Sequence, residues 1–440
     1  MAIINNTYMR SLLKTVYVNG VANAKKQGSP VLKDIKKEHW EGGKELKYAA
    51  QFANGGNFGV NYGAIVSSMD EGVRNVEWIM EPGHLTGLFS VNQPEILTTA
   101  SDRVAYMKAI ANKMSGCFDG LAKTLATFMY SGKDGVIGKV VAATGSTITV
   151  DRSTALKMDL GTKFRVADNV AGYASAAVLT VISKSKGVIT YSGTATPAPA
   201  AGNLIILNAK GNGTQGPDGL ADLIPIVRDN TTKDFRGVDR SKAWDNLAGQ
   251  VVETAANADG AKMADALVEL LKEVKLAGGT NVSLIINDDD YDKITKALGL
   301  NQYYFVGINQ GDNKNHVTKG MTSLATAFGD AFTGNAIIDP YCPKGFAYMI
   351  DMDDFTFYAM NGVEKVINPV SNDQLGKYDV ESVGDSGIGD NPSVQLNMEK
   401  LFTVSEGQPD ETGPTFLIAA HLYGNFAIKD TAACGVAVFK

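Results

Sequence analysis

PDGLADLIPIVRDNTTKDFRGVDRSKAWDNLAGQVVETAANADGAKMADALVELLKEVKLAGGTNVSLIINDDDYDKITKAL, residues Pro217 to Leu298, holds the clearest local fold signal in this 440-residue chain. Asp259 or Asn257 can cap a helix by accepting hydrogen bonds from its free N–H groups. Apolar residues then recur at Met263, Leu267, Leu270, Leu271 and Val274, a spacing that lines one helix face. Gly278 and Gly279 stop that helix, because glycine takes the left-handed backbone at little cost. Val282 to Ile286 is a short, apolar, β-branched run, the mark of a strand covered on both faces. Asn287 and Asp288 cap a second helix carrying Tyr291, Ile294 and Leu298. The result is an α/β unit, yet no catalytic side chain stands at its strand end.

Upstream, residues 1–50 show no strong period beyond a short amphipathic stretch from Tyr8 to Val16. From Asn54 to Leu97 the chain is glycine-rich, with strand-like patches at 64–69, 75–80 and 88–91, which predicts a long extended hairpin. Trp78 would have little core of its own there, and an exposed aromatic suits a partner's pocket. Next, Val104, Met107, Ala111, Met114, Phe118, Leu121, Leu125 and Phe128 step alternately by three and four. Thr99 or Ser101 can cap this helix, and from Ser101 to Tyr130 it would span about 45 Å. Charges are sparse beyond Lys123 and no flanking charge pattern accompanies the stripe, so the helix is expected to lie on a sheet. Gly116 and Gly120 each weaken a helix by about 0.8–1.0 kcal/mol, which points to close backbone contact or a bend.

Between 135 and 210 the helical period vanishes and about six short strands alternate with turns, the pattern of a small β-barrel or sandwich. Beyond the central unit, Gln302–Lys319 reads as a surface loop and Met321–Phe332 as a short apolar segment. Asn368–Glu399 reads as an exposed loop, and Leu401–Ser405 with Thr415–Tyr423 as closing strands.

Composition narrows the function. Hydrophobic content of 44% and charged content of 20% describe a globular chain able to bury a large core. No run reaches the ~18 apolar residues of a membrane span. The N-terminus lacks a signal-peptide pattern, so synthesis and use in the cytoplasm are expected. Cys117, Cys342 and Cys434 cannot make a disulfide framework, and no Cys/His pair has zinc-ligand spacing. The net charge of −6 argues against a dedicated nucleic-acid binder. The first fifty residues nevertheless hold nine Lys/Arg against four Asp/Glu, so a basic arm precedes a body of −11. Such an arm suits docking onto a neighbouring copy or brushing phosphate; it is equally readable as a solvated tail.

Chemical motifs each have a plainer reading. Gly211–Gly216 is formally G-x-G-x-x-G, but Pro217, Gly219 and Pro225 deny it the helix that must hold a pyrophosphate. Ser131–Gly135 contains Gly-Lys without the rest of a phosphate loop and reads as a helix stop. Asp288, Asp289 and Asp290 suit a helix N-terminus better than a metal. Asp351, Asp353 and Asp354 lack the glycine and glutamate of a calcium loop and read as a turn. His39, His84, His316 and His421 are scattered and form no triad. Trp40, Trp78 and Trp244 read as packing anchors rather than a sugar-binding platform, with Trp78 the exception that could serve a partner. No catalytic, cofactor or metal residue is assigned, and the chain is not read as an enzyme.

Three blocks carry a family resemblance. Gly219–Pro225, Gly237–Ser241 with Trp244, and Leu284–Tyr291 resemble the "GL-x-DLIP", "GIDRS…W" and "L-I-x-N/T-x-x-x-Y" segments of the major capsid protein of tailed double-stranded DNA bacteriophages. Ile337–Gly362 resembles that family's "P-V-x-V-D-P…G-x-x-Y-x-L-D…D-F" hairpin, and His421–Phe439 its "Y-G-N-L…N-P-x-x-x-G-V" strand pair. The order is the same, and the blocks span much of 217–440. The resemblance implies an α+β, Hong Kong 97-type capsid fold with an inserted all-β domain. Its implied parts are an N-terminal arm at 1–53, an extended loop at 54–97, a spine helix at 98–134, the insertion at 135–210, an axial domain at 211–348 and the rest of the peripheral domain at 349–440. It also implies pentamers and hexamers of an icosahedral head, scaffolding, portal and decoration proteins as partners, packaged double-stranded DNA, no membrane, and a virion assembled in the host cytoplasm. No processed scaffolding segment and no cross-linking lysine–asparagine pair is identified. Two alternatives stay open: a bacterial nanocompartment shell with the same fold, and an intracellular α/β enzyme or ligand-binding protein using the Asp288–Asp290 region.

Overall fold

The computed structural model describes residues 29–40, 43–53, 60, 74–92, 103–207, 216–297, 336–360, 365–369, 378–382, 403–404, 408–409 and 415–440. In the first half of the chain the elements are α1 (Pro30–Asp34), β1 (Lys36–His39), β2 (Leu46–Ala53), β3 (Arg74–Met80), β4 (Gly83–Asn92), α2 (Arg103–Ser131), β5 (Val136–Thr144), β6 (Thr147–Val150), α3 (Arg152–Lys157), β7 (Lys163–Ala167), β8 (Val178–Ser185), β9 (Val188–Ser192) and β10 (Leu204–Leu207). In the second half they are α4 (Leu220–Leu223), β11 (Asp234–Phe235), β12 (Val238–Asp239), α5 (Trp244–Leu247), β13 (Gln250–Glu253), α6 (Gly260–Leu276), β14 (Val282–Ile286), α7 (Asp288–Ala297), β15 (Ala336–Ile338), β16 (Phe346–Asp351), β17 (Phe355–Ala359), β18 (Lys365–Pro369), β19 (Tyr378–Ser382), β20 (Thr403–Val404), β21 (Gln408–Pro409), β22 (Thr415–Ile428) and β23 (Gly435–Val438). The chain divides into two units.

Residues 43–81, 220–356 and 427–440 make one unit. Its main sheet has the order β13-β23-β16-β14-β15, with β14 antiparallel to β16 and parallel to β15. All five residues of β14 are buried, as the unbroken apolar run requires. On this sheet α6 lays Met263, Leu267, Leu270, Leu271 and Val274, all buried in one cluster with Leu284, Ile286 and Met349. Asp259 is the cap that starts α6, accepting the Lys262 N–H at 2.9 Å. Gly278 ends it with φ +106°. Gly435 lets the helix settle on β23, where a Cβ would stand 2.6 Å from Leu270 Cδ1.

In the same unit β2 pairs antiparallel with β3, setting Tyr48 opposite Trp78. The hairpin partner of β3 is thus Leu46–Ala53, upstream of the segment expected to form the extended loop. Trp78 takes the packing role rather than the alternative of an anchor for a partner. It is 2% exposed and packs with Val238, Leu247, Tyr48 and Phe235 of its own unit. Its local core comes from β11, β12 and α5, distant segments that patterning around residue 78 does not reveal. The expected patch at 64–69 lies outside the described residues.

Residues 1–42, 82–219 and 357–426 make the other unit. Here β22 is the central strand: β4 pairs along it from Asn92↔Thr415 to Gly83↔Gly424, and β17, β20 and β21 also join it. The long helix α2 lies on β4, where Gly87 leaves room for Cys117 and Leu121. Its last turns are buried at Leu121, Leu125, Phe128 and Met129. Gly116 and Gly120 depart from the expected close contact, because a Cβ on either would meet nothing within 4 Å in this chain.

Residues 136–207 close into a six-stranded barrel of order β10-β5-β6-β9-β8-β7. Alternate side chains fill its interior, including Ile137, Ile148, Phe164, Leu179, Val181, Ile189 and Ile205. The helix α3, inside a stretch read as all strand, was not anticipated. Asp159 accepts hydrogen bonds from Lys184 of the barrel at 3.0 Å and Lys123 of α2 at 2.5 Å. β18, which runs from Lys365 into the stretch read as the exposed loop 368–399, pairs there with β19. The surface loop 302–319, the apolar segment 321–332 and the helix at Tyr8–Val16 lie outside the described residues.

Candidate functional site

The sequence-derived candidates come first. Asn287 caps α7, its side chain accepting the Asp289 N–H at 3.0 Å. Asp290 is fully buried and accepts the Gly345 N–H at 2.6 Å, pinning the turn before β16. The Asp288–Asp290 run is therefore a helix start whose third carboxylate serves a structural bond. Asp351 accepts from Asn281 N at 3.1 Å, from Thr280 N and Oγ1 at 3.3 Å, and from Asp353 N at 3.1 Å. Burial by itself would raise this carboxyl, but those donors hold it below the usual aspartate range. Asp354 closes the turn by donating its N–H to Asp351 O at 3.2 Å. Among the described residues, no group of three or more His, Cys, Asp or Glu is placed to hold a metal ion.

Burial pushes the Cys117 thiol up to about 11 and drives Cys434 higher still. His84 stacks flat on Tyr423 at 4.5 Å between centroids and shares a 2.8 Å hydrogen bond with Thr86. Trp40 is buried, and its N–H of the backbone donates to Ala359 O at 2.9 Å. A cleft of about 270 Å³ is lined by Ala49, Trp78, Leu247, Lys429, Asp430 and Thr431 among others. That is below the usual size for a small-molecule site. Residues 211–215 of the glycine-rich run lie outside the described residues. No described helix is long and apolar enough to cross a membrane.

Two clusters that residue-level reading missed explain the motif blocks. Asp218, 1% exposed, meets Asn425: the Asp218 N–H donates to Asn425 Oδ1 at 2.7 Å, and Asn425 Nδ2 donates to Asp218 Oδ2 at 2.9 Å. Lys133 closes the set with a 2.8 Å ion pair to Asp218 Oδ1. The Gly-Lys of Ser131–Gly135 is thus a helix stop whose lysine neutralises a buried carboxylate. Gly219 beside it lets the chain pass α2, where a Cβ would sit 2.1 Å from Phe128 O. Gly424, next to Asn425, lies where a Cβ would be 2.5 Å from Tyr358 O. The second cluster centres on buried Arg240, whose guanidinium lies 3.8 Å from the Phe235 ring centroid and 5.8 Å from that of Trp78. It donates to Asp222 O at 2.9 Å and so holds the end of α4. Both make the backbone take one path.

No family model matches the chain, and no curated protein matches it by sequence. Solved structures do. A chain of the cyanophage A-1(L) capsid asymmetric unit matches with a TM-score of 0.52 and 12% identity, covering 95% of this chain and 94% of that one. The capsid of an empty GTA particle gives 0.43 and 11%, covering 94% and 97%. A virus-like particle from Pyrococcus furiosus gives 0.39 and 10%, covering 96% of each chain. Only the first score bears on the fold. The protein is thus a mixed α+β chain with a viral capsid-protein fold. In particular, it shares the fold of the cyanophage A-1(L) capsid chain along nearly its full length.

Proposed function

We propose that this chain is the major capsid protein of a tailed phage, whose copies self-assemble into a closed icosahedral head around double-stranded DNA. The full-length likeness to the cyanophage capsid chain is the observation that carries this reading. Pentamers and hexamers would repeat the same heterologous contacts, with apolar burial as the main driving force. In this account residues 1–53 are an arm and 54–97 an extended loop that clasp neighbours. Residues 98–134 are the spine helix, 135–210 an insertion domain, 211–348 the axial domain and 349–440 the remainder of the peripheral domain. The head would lie in the virion after assembly in the host cytoplasm. Scaffolding, portal and decoration proteins would be its partners. Packaged DNA would meet it only through weak, salt-sensitive contact. No catalytic role is proposed.

Sedimentation velocity of the purified full chain, alone and with its scaffolding protein, tests the reading. The expected result is conversion of slow material into species of megadalton size. A monomer or dimer that persists at high concentration in both conditions would contradict it.

A further inference from the structure

We infer that the outward face of the barrel built from β5, β6, β9 and β8 docks on the acidic body of a second copy of this chain. This deepens the proposed function and rests on it, since it supposes that copies assemble. Nine large hydrophobic side chains are exposed among the described residues, and six of them belong to the barrel: Val141, Leu156, Leu160, Val178, Ile182 and Val188. They are not missing from the core, because the interior already holds its own set of apolar residues, including Val140, Val150 and Tyr191. Several fall on one surface. Ala142 pairs with Thr149, Thr149 with Val188 and Val188 with Ser185, so Ala142 and Val188 flank Thr149 in one row, with exposed Val141 in the bulge beside Ala142. Thr147, Thr190 and Ser183 form the next row, and Ile182 bulges out beside Ser183. Leu160 joins the edge, because Gly161 N donates to Val181 O at 2.9 Å. A Val/Thr/Ile face results. Exposed apolar surface of this kind marks an interaction site. The closed barrel has no free strand edge, so a partner must use the face.

Charge identifies the partner. Residues 136–207 carry seven Lys/Arg and three Asp, a balance of +4. With the first fifty residues at +5 and the whole chain at −6, the remainder is at −15. Barrel against barrel would repel; barrel against the acidic remainder of another copy attracts. Nucleic acid is also acidic, but phosphate is held by free cations rather than by Val and Ile. Part of the barrel's positive charge is already engaged. Arg165 lies over Tyr173 and donates to Tyr173 O and Ala174 O, while Lys184 bonds Asp159 and Met158 O.

The test uses full-length protein carrying Ile182→Asp with Val188→Asp, the milder pair Ile182→Thr with Val188→Thr, and Lys163→Glu with Lys186→Glu. Assembly is read by sedimentation and electron microscopy, folding by circular dichroism and melting, and duplex DNA affinity by fluorescence anisotropy. The expected result is a wild-type melting profile, with the assembly threshold raised about tenfold or more by the aspartates and several-fold by the threonines. The charge-reversed pair should raise the threshold and flatten its salt dependence. If the aspartate pair fails to fold, the threonine pair, which keeps β-branched strands, decides. Folded variants that assemble at the wild-type threshold would overturn the docking while leaving the capsid reading intact. Normal assembly with lost duplex affinity would overturn it in favour of nucleic acid. Wild-type protein that never assembles, even with scaffold, would remove the capsid reading and the docking with it.

Discussion

Asp351 and Asp354 share one turn and titrate in opposite directions. Burial, then the nearby Asp351 and Asp430, push the Asp354 carboxyl above the usual aspartate range, and Lys429 only partly opposes them. A raised carboxyl contributes stability fully below the unfolded value, and that contribution is lost as pH rises through the folded one. At pH 7 ionised Asp354 therefore costs stability. Asp354→Asn should melt higher at pH 7, by less than about 1 kcal/mol because the group is partly hydrated, and the gap should close below about pH 4. A lower melting point at pH 7 would mean that the Lys429 attraction dominates. Asp351 is the reverse case. Its lowered value contributes stability above the unfolded aspartate range, lost as pH falls. Asp351→Ala should cost about 1–3 kcal/mol at pH 7, read from urea unfolding, and less at pH 3. Gly219→Ala sets a Cβ against Phe128 O and should cost about 1–3 kcal/mol or more, through backbone displacement rather than lost contact.

At the level of elements, the Lys133–Asp218–Asn425 set joins the end of α2, the turn before α4 and β22. Asn425→Ala leaves a buried carboxylate short of a donor and should cost about 3–5 kcal/mol. Lys133→Met should cost less, since that lysine is 38% exposed. Denaturant unfolding of both single variants and the double variant measures the coupling, and strict additivity would refute the cluster. The element scale also shows what patterning can reveal. The α6–β14–α7 unit was legible because its signals are local: a cap, a 3–4 apolar step, a glycine stop and a β-branched run. The barrel was legible as six short strands for the same reason. The surroundings of Trp78 were not. Its neighbours Val238, Leu247 and Phe235 lie more than 150 residues further on, and no local period encodes that meeting. The pairing of Asp218 with Asn425 spans 207 residues and was equally silent. The one available hint was a lone Asn among buried apolar residues of β22, a polar group that must find a partner.

Over the whole molecule, the proposed function rests on the fold shared with the cyanophage capsid chain. Buried polar residues serve to fix turns and strand crossings. Cys117 and Cys434 are raised by burial, and the Asp351 carboxylate accepts backbone N–H groups. The uneven charge, basic in the arm and barrel and acidic elsewhere, predicts copy-to-copy attraction that weakens with salt. The assembly threshold should accordingly rise between about 50 and 500 mM sodium chloride, as followed by light scattering. A threshold that falls over that range would assign the contacts to apolar burial alone. The most direct test of the central claim is cryo-electron microscopy of the full-length protein after assembly with its scaffold. The account predicts closed shells with five-fold vertices in which this chain's own fold repeats in pentamers and hexamers. Discrete particles no larger than a dimer, under conditions where the protein is folded, would contradict it.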